Sequence, residues 1–284
     1  MLKYRDSFAA LGTHWSMETS AQIPLGVKKE IHDRIEVFDA TYSRFRKDSL
    51  VTRVSKAAGR YVFAQDAVKL VTFYESLYDL TDGRVTPLIG DSLVRAGYDA
   101  GYSFKSQPQQ DVLDWSVMQW DKNVLTTKVP FTLDFGAAGK GYLVDIVSEI
   151  LDAHGFKEYV VDASGDLRHR GTTENRVGLE HPLDPSKIIG VVDVQNKSLC
   201  ASASNRRSWG EGMHHVFDPK TKAPTKEVVA TWVIADEALI ADGLATALFF
   251  VGPTELGDTY DYQYVRMFSD GAIDYSHNFE GELF

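Results

Sequence analysis

D-E-A-L-I-A-D-G-L-A-T-A-L-F-F-V-G, from Asp236 to Gly252, is the stretch from which the rest of the chain is read. Asp236 is a residue type that caps a helix by accepting hydrogen bonds from its first backbone N–H groups, and Gly252 with Pro253 stops one. The residues between them are almost wholly apolar, which predicts a buried helix. Asp242 and Thr246 sit four apart inside it and so share one face. A carboxylate on a buried helix is costly unless something positive meets it. A carboxylate plus a hydroxyl, with no His or Cys nearby, is the ligand chemistry of Mg2+ rather than zinc. A local reading stands beside it: Asp242 caps or bridges a neighbouring element, and Thr246 bonds back to its own helix.

Composition sets the outer bounds. The 284 residues, 44% hydrophobic and 25% charged, are those of an ordinary globular protein with room for one or two domains. A formal charge of -10 argues against a general nucleic-acid binder. An anionic ligand would need cations gathered locally or supplied by a metal. One cysteine, Cys200, excludes an internal disulfide framework and a Cys-based zinc cluster. The opening residues M-L-K-Y-R-D-S-F-A-A-L have no apolar leader, and no stretch approaches the ~20 apolar residues that span a bilayer. A cytoplasmic protein without membrane insertion is expected.

Taken in order, residues 7–18 read as one strand bent at Gly12, and 26–40 as an amphipathic helix with Val27, Ile31, Ile35 and Phe38 at helical spacing. Ser49 starts a short helix. Another spans about 65–81, with Val68, Val71, Tyr74, Leu77 and Leu80 inward, and Asp82-Gly83 ends it. Residues 102–113 read as an exposed connector, then strands follow near 114–120 and 123–134. L-D-F-G-A-A-G-K-G-Y-L-V-D (133–145) predicts a strand, a glycine-rich turn and a helix, and 159–171 a strand, a turn and a strand. Further strands are expected at 188–194, at 228–235 and in a hairpin over 264–275 turning at Asp270-Gly271. Helices and strands mix without regular alternation, which favours an α+β fold.

Three segments carry chemistry. In G-A-A-G-K-G (136–141) small residues let backbone N–H groups approach an anion at a helix start, and Lys140 adds charge. The spacing is not that of a Walker loop. In A-S-G-D-L-R (163–168), Ser164 and Gly165 could hold a phosphate or a flavin edge by N–H groups, while Asp166 could serve a metal or orient a base. A plain β-turn is the alternative. The run from Cys200 to Pro224 brings Arg206, Arg207 and the pair His214-His215, with His215 three residues before Asp218 as a candidate acid/base and its orienting partner. A His pair without a third ligand is a poor zinc site.

In this order the segments resemble the ApbE family, the FAD:protein FMN transferases. The likeness rests on Leu133 to Asp145 (L-D-x-G-x-x-x-K-G-Y-x-x-D), Ser164-Gly165-Asp166 (G-G-D), Ser202 to Arg207, His215 to Pro224 (H-x-x-D-P-x-T-G-x-P), and Ala241-Asp242 through Thr246 (A-D-x-x-x-T). Gly12-Thr13 and a block from Ser49 also match. The resemblance covers nearly the whole chain and implies one domain, residues 1–284, of T-fold-like α+β architecture with a mixed, largely antiparallel sheet and packed helices.

The activity it implies is a Mg2+-dependent transfer of FMN from FAD to a threonine of an acceptor flavoprotein, such as a redox-enzyme subunit, with release of AMP. By the same resemblance Asp242, Thr246 and the Ala137 carbonyl would hold the metal. Lys140, His215 and Asp166 would be catalytic, Lys140 stabilising phosphate charge and His215 acting as base. Thr13, Gly136, Ala138, Lys140, Ser164, Gly165, Ser202 and Arg206 would hold FAD. Departures fall at Ser164, Ala203, Asn205, Lys222 and Ser55. Asn205 stands where the family has a tyrosine, so an aromatic stacking partner is expected to be lost and grip to shift toward Arg206 and Arg207. Two other activities fit the same site: an FAD pyrophosphatase and a non-catalytic flavin binder.

Overall fold

The computed structural model describes residues 2–210 and 212–284. Its largest sheet has eight strands: β1 (Tyr4–Ala10), β2 (Thr13–Thr19), β3 (Tyr159–Asp162), β4 (Asp166–Arg170), β5 (Ser198–Ala203), β6 (Val228–Ala235), β7 (Gln263–Phe268) and β8 (Ile273–Tyr275). Their order across the sheet is their order along the chain, and every neighbouring pair is antiparallel. The single bent strand expected over 7–18 is instead a hairpin. Leu11 and Gly12 both take positive φ, 49° and 70°, which is the backbone a two-residue hairpin turn requires.

The sheet is covered on both faces. Four helices lie in the larger core: α1 (Leu25–Tyr42), α2 (Ala67–Leu80), α3 (Gly139–Ala153) and α4 (Ala238–Ala247). The predicted stripe Val27, Ile31, Ile35 and Phe38 is buried on α1. On α2 the buried face is Leu70, Val71, Phe73, Tyr74 and Leu77, with Val68 and Leu80 half-buried. The opposite face of the sheet packs on a three-stranded sheet of Asn175–Glu180, Ile188–Val194 and Gly281–Leu283. β6 shows why the run V-V-A-T-W-V-I-A is so apolar. Trp232 and Ile234 face the small sheet while Val233 and Ala235 face the helices, so alternation has no solvent side to mark.

A third sheet, Gly59–Val62 with Val124–Thr127 and Met118–Asp121, replaces the longer strands expected near 114–134. Trp115–Val117 is a 3-10 turn capped by Asp114, and no strand precedes the glycine-rich turn. Among the described residues no helix is long and apolar enough to cross a membrane.

The helix that anchors the reading is shorter than expected. It begins at Ala238 and ends at Ala247, and Gly252 instead precedes a five-residue helix, Pro253–Gly257. Asp236 does not cap it, because its carboxylate takes Lys197 Nζ at 2.6 Å. The N–H groups of Ala238 and Leu239 donate to Asp145 of α3 at 3.0 and 2.8 Å. In return the Gly141 N–H of α3 donates to Asp242 of α4 at 2.8 Å. Gly141 makes this approach possible: a Cβ there would collide with the Ala238 carbonyl oxygen and stand 2.6 Å from Asp242 Cβ.

Candidate active site

A cavity of about 830 Å3 opens beside the first turn of α3. The β1–β2 turn contributes Thr13, the turn before α3 contributes Gly136, Ala137 and Lys140, and the β3–β4 turn contributes Ser164 and Gly165. Ser202 comes from β5, Arg206 and His215 from the segment after it, and Asp242 and Thr246 from α4. Eleven residues singled out in sequence, scattered over the chain, thus line one space. Two do not: Ala138 is fully buried beneath the turn, and Asp166, with no exposed surface, lies behind Lys140.

Most backbone donors of the glycine-rich turn are already engaged within the protein. The Gly136 N–H donates to Asp134 Oδ1 at 2.7 Å and that of Ala137 to the Tyr74 hydroxyl at 3.1 Å. The N–H groups of Ala138 and Gly139 donate to the Phe135 carbonyl, and that of Gly141 to Asp242. With these five donors turned inward, the turn offers the cavity an oxygen, the Ala137 carbonyl, which accepts from Thr246 Oγ1 at 3.3 Å. The Gly165 N–H is likewise taken, by Asp162 Oδ1 at 3.0 Å, so that donor is not available to a phosphate. Ser164 sits at φ 58°, in the left-handed region that favours glycine, and its Oγ donates to the His14 carbonyl at 2.8 Å, tying this turn to β2.

Charge is concentrated at the α3–α4 contact. Burial, and Asp166 after it, push the Asp242 carboxyl well above the usual carboxylate range, against the pull of Lys140 and the Gly141 N–H. Lys140 pairs with Asp166 and donates to the Ala163 carbonyl at 3.2 Å. Burial works to lower its pKa, but Asp166 and Asp242 outweigh it, so the ammonium is held charged. Two buried acidic groups therefore lie near one lysine, and Asp166 alone is in direct contact with it. Across the cavity Arg44, buried, pairs with Asp134 at 2.5 Å and donates to the Tyr98 carbonyl at 2.8 Å. Arg44 was not singled out from sequence. Its only signal is an arginine in the turn after an amphipathic helix, which most surface turns also show.

The two histidines separate clearly. His214 is buried, and its Nε2 donates to the Thr225 carbonyl at 2.9 Å. His215 faces the cavity. Burial first, then Arg207 and His214, lower its pKa to about 3, so the ring is neutral. Its Nδ1 has no hydrogen-bond partner among the described residues. The expected orienting role of Asp218 is not met: that carboxylate caps its own turn through the Lys220 N–H at 2.8 Å. Arg207 donates to the Tyr98 hydroxyl at 2.9 Å, and Arg206 meets Glu180 at 3.1 Å on the rim.

Asn205 is not a cavity residue. Its side chain donates to the Pro182 carbonyl, away from the space, so its difference from tyrosine removes nothing from the wall. Aromatic surface comes instead from Phe45, Tyr98, Tyr102, Phe104 and Trp209.

A model of the ApbE family matches residues 11–267. An FAD:protein FMN transferase of Klebsiella pneumoniae (strain 342) is 24% identical over 272 residues, covering 86% of this chain and 77% of that protein. One from Haemophilus influenzae is 26% identical over 274 residues, covering 88% and 77%. Among solved structures, the ApbE protein of Thermotoga maritima superposes with a TM-score of 0.87 at 21% identity, covering 98% of this chain and 99% of that one. The flavin transferase ApbE of Vibrio cholerae gives a TM-score of 0.77 at 19% identity, covering 96% of each. At these identities the structural likenesses speak for the α+β fold.

Proposed function

This chain belongs to the ApbE family, and from that premise we propose that it is an FAD:protein FMN transferase acting on a threonine of an acceptor protein, with Mg2+ as the required ion. In the reaction the threonine oxygen bonds to the FMN-side phosphorus of FAD. The bond from that phosphorus to the bridging oxygen breaks, and AMP leaves with that oxygen.

The observation that carries this reading is the convergence of Asp242, Thr246 and the Ala137 carbonyl on the wall that also bears Lys140 and His215. The donor set suits Mg2+: three hard oxygens, one of them a buried carboxylate otherwise short of positive charge. Thr246 Oγ1 donates to the Ala137 oxygen at 3.3 Å, so the two oxygens lie close enough that both would hold one small ion. When bound there, the ion would supply charge neutralisation for the pyrophosphate.

The chain's own groups do the rest by position and charge. Lys140 is kept protonated by two carboxylates and would offset charge growing on the phosphoryl oxygens. His215 is neutral and so able to receive the threonine proton. Bringing an anionic pyrophosphate beside it and Arg207 would raise its basicity from the low value set by burial and its cationic neighbour. Arg206 and Arg207 gather positive charge at the rim of a protein that is otherwise acidic.

One assay tests the reading: FAD and Mg2+ are mixed with a candidate acceptor, then AMP and in-gel flavin fluorescence are measured. AMP together with a fluorescent acceptor is expected, lost with EDTA and restored by Mg2+. AMP with free FMN would mean water is the acceptor, and no AMP would mean the cavity only binds.

A further inference from the structure

We propose that Tyr102 and Phe104, carried on the strap Gly97–Lys105, stack on the isoalloxazine ring of FAD. The inference rests on the flavin reading of the cavity and adds the residues that grip the flavin itself. Both side chains line the cavity, yet each is 49% exposed. Both also adopt left-handed backbone, φ 48° and 51°, which bulky aromatic residues avoid. Strain of this kind persists only where the surroundings enforce it.

The surroundings do enforce it. Asp99 Oδ1 accepts the Gly101 and Ser103 N–H groups at 2.8 and 3.1 Å, and its other oxygen takes the Ser103 hydroxyl. The Phe104 N–H donates to the Gly97 carbonyl at 2.9 Å. Gly97, at φ 96°, lies so close beneath that a Cβ would stand 2.7 Å from the Phe104 carbonyl carbon. The strap is also joined to the cavity's arginines, since Arg44 donates to the Tyr98 carbonyl and Arg207 to its hydroxyl.

Behind the two exposed rings stands a second layer. Tyr102 stacks on Phe45 with centroids 5.5 Å apart and planes 9° from parallel, and Phe104 stacks on Trp209 at 5.9 Å and 29°. The two rings also meet each other, with centroids 6.1 Å apart and planes 50° from parallel, so each is backed by a second aromatic while about half of it stays exposed. A planar heteroaromatic ring is the ligand chemistry that such a surface takes. The flavin is favoured over the adenine because an arriving acceptor protein must reach the FMN half. That half belongs toward the open side, where these rings are half exposed.

Binding of FAD, FMN and AMP to the whole protein with Mg2+ present tests this, by flavin emission for the first two and calorimetry for the third. Phe104→Leu and Tyr102→Leu together should weaken FAD and FMN by about tenfold, the worth of an aromatic pair beyond its buried area, while AMP affinity and melting temperature hold. Phe104→Trp should act in the opposite direction. Loss of AMP affinity with FMN unchanged would assign the rings to adenine and overturn the inference, as would no change in any ligand. A wild-type protein that binds neither FAD nor FMN would instead strike the flavin reading itself, a result visible before any variant is made.

Discussion

Asp145 on α3 accepts the two N–H groups that begin α4, while Asp242 on α4 accepts the Gly141 N–H in the first turn of α3. Each helix supplies the carboxylate that the other's N-terminus lacks. Neither start has a side-chain cap from its own flanking residue. The arrangement sets the register between the turn that presents Ala137 and Lys140 and the helix that presents Asp242 and Thr246.

Removing Asp145 should therefore be costly. Asp145→Ala would leave the buried end of Arg168 without its ion partner and two helix-start N–H groups without acceptors. A loss of about 3–5 kcal/mol is expected, the usual result of breaking a buried pair from one side. Asp145→Asn, which keeps one acceptor oxygen, should lose less. Urea denaturation of the three proteins measures the difference.

Gly141→Ala should reverse the ordinary sign of a helical glycine substitution. Alanine in a helix interior normally gains roughly 0.5–1 kcal/mol over glycine. Here the methyl would run into the Ala238 carbonyl and Asp242, so a loss of about 1–3 kcal/mol is expected, with a fall in activity as α4 is displaced. Gly139→Ala is the comparison, because its nearest neighbour would be Phe135 Cβ at 3.6 Å. Melting curves that rank the two variants equally would refute the packing argument.

Asp242→Asn keeps an oxygen able to accept from Gly141 while removing the negative charge. Folding should survive, and turnover with Mg2+ should drop by on the order of 10²–10³, the scale of losing one group that stabilises transition-state charge. Mn2+ binding, followed by water-proton relaxation, should weaken in parallel. Wild-type turnover in this variant would remove Asp242 from the metal set.

His215 carries a pH signature with a definite sign. Its folded pKa is about 3, below the unfolded value near 6.5, so the unfolded chain binds more protons between those limits. Its contribution to stability is fully present above about pH 6.5 and is lost as pH falls toward 3. His214 and His169 shift the same way through burial, so the informative quantity is the difference between wild type and His215→Ala. The variant's stability should fall less steeply over that window. Catalytically, kcat/KM reports the free enzyme and should show no acid limb near pH 6.5 from this group, whereas His215→Ala should lower the chemical step by about 10²–10⁴-fold.

Asn205→Tyr is expected not to tighten FAD binding. The side chain is turned to Pro182, outside the cavity. An FAD titration showing tighter binding would mean that the segment rearranges when flavin enters.

Much of the site was legible because its groups come from short, ordered motifs whose chemistry is carried by residue type. Asp242, Thr246, Lys140 and His215 were named from sequence, and all four line one cavity. Hydrogen-bond direction was not legible. G-A-A-G-K-G reads as donors aimed at an anion, and nothing local reveals that Asp134, Tyr74, Phe135 and Asp242 have already taken those N–H groups. The cap of α4 was missed for the same reason, as Asp145 lies far away in sequence and Asp236 is the obvious local candidate. In the fold, helices with a clear stripe such as α1 were found, while strands like Asn175–Glu180 and Ser198–Ala203 were not. Their patterns, N-R-V-G-L-E and S-L-C-A-S-A, are too short or too small in side chain to show a period of two.

The sequential order of the large sheet has a consequence for how the molecule forms. Strands β3 to β8 pair with chain neighbours, but β2 reaches β3 only after the whole segment from Ser20 to Glu158 has been looped out. Loop closure grows more costly with length, and contacts distant in sequence slow folding. The β1–β2 hairpin is thus expected to dock late, and with it Thr13 and the bond from Ser164 to the His14 carbonyl. In a refolding experiment, the ability to quench flavin emission should lag behind the far-ultraviolet signal of the sheet, so that a newly made chain acquires its strands before it acquires its ligand.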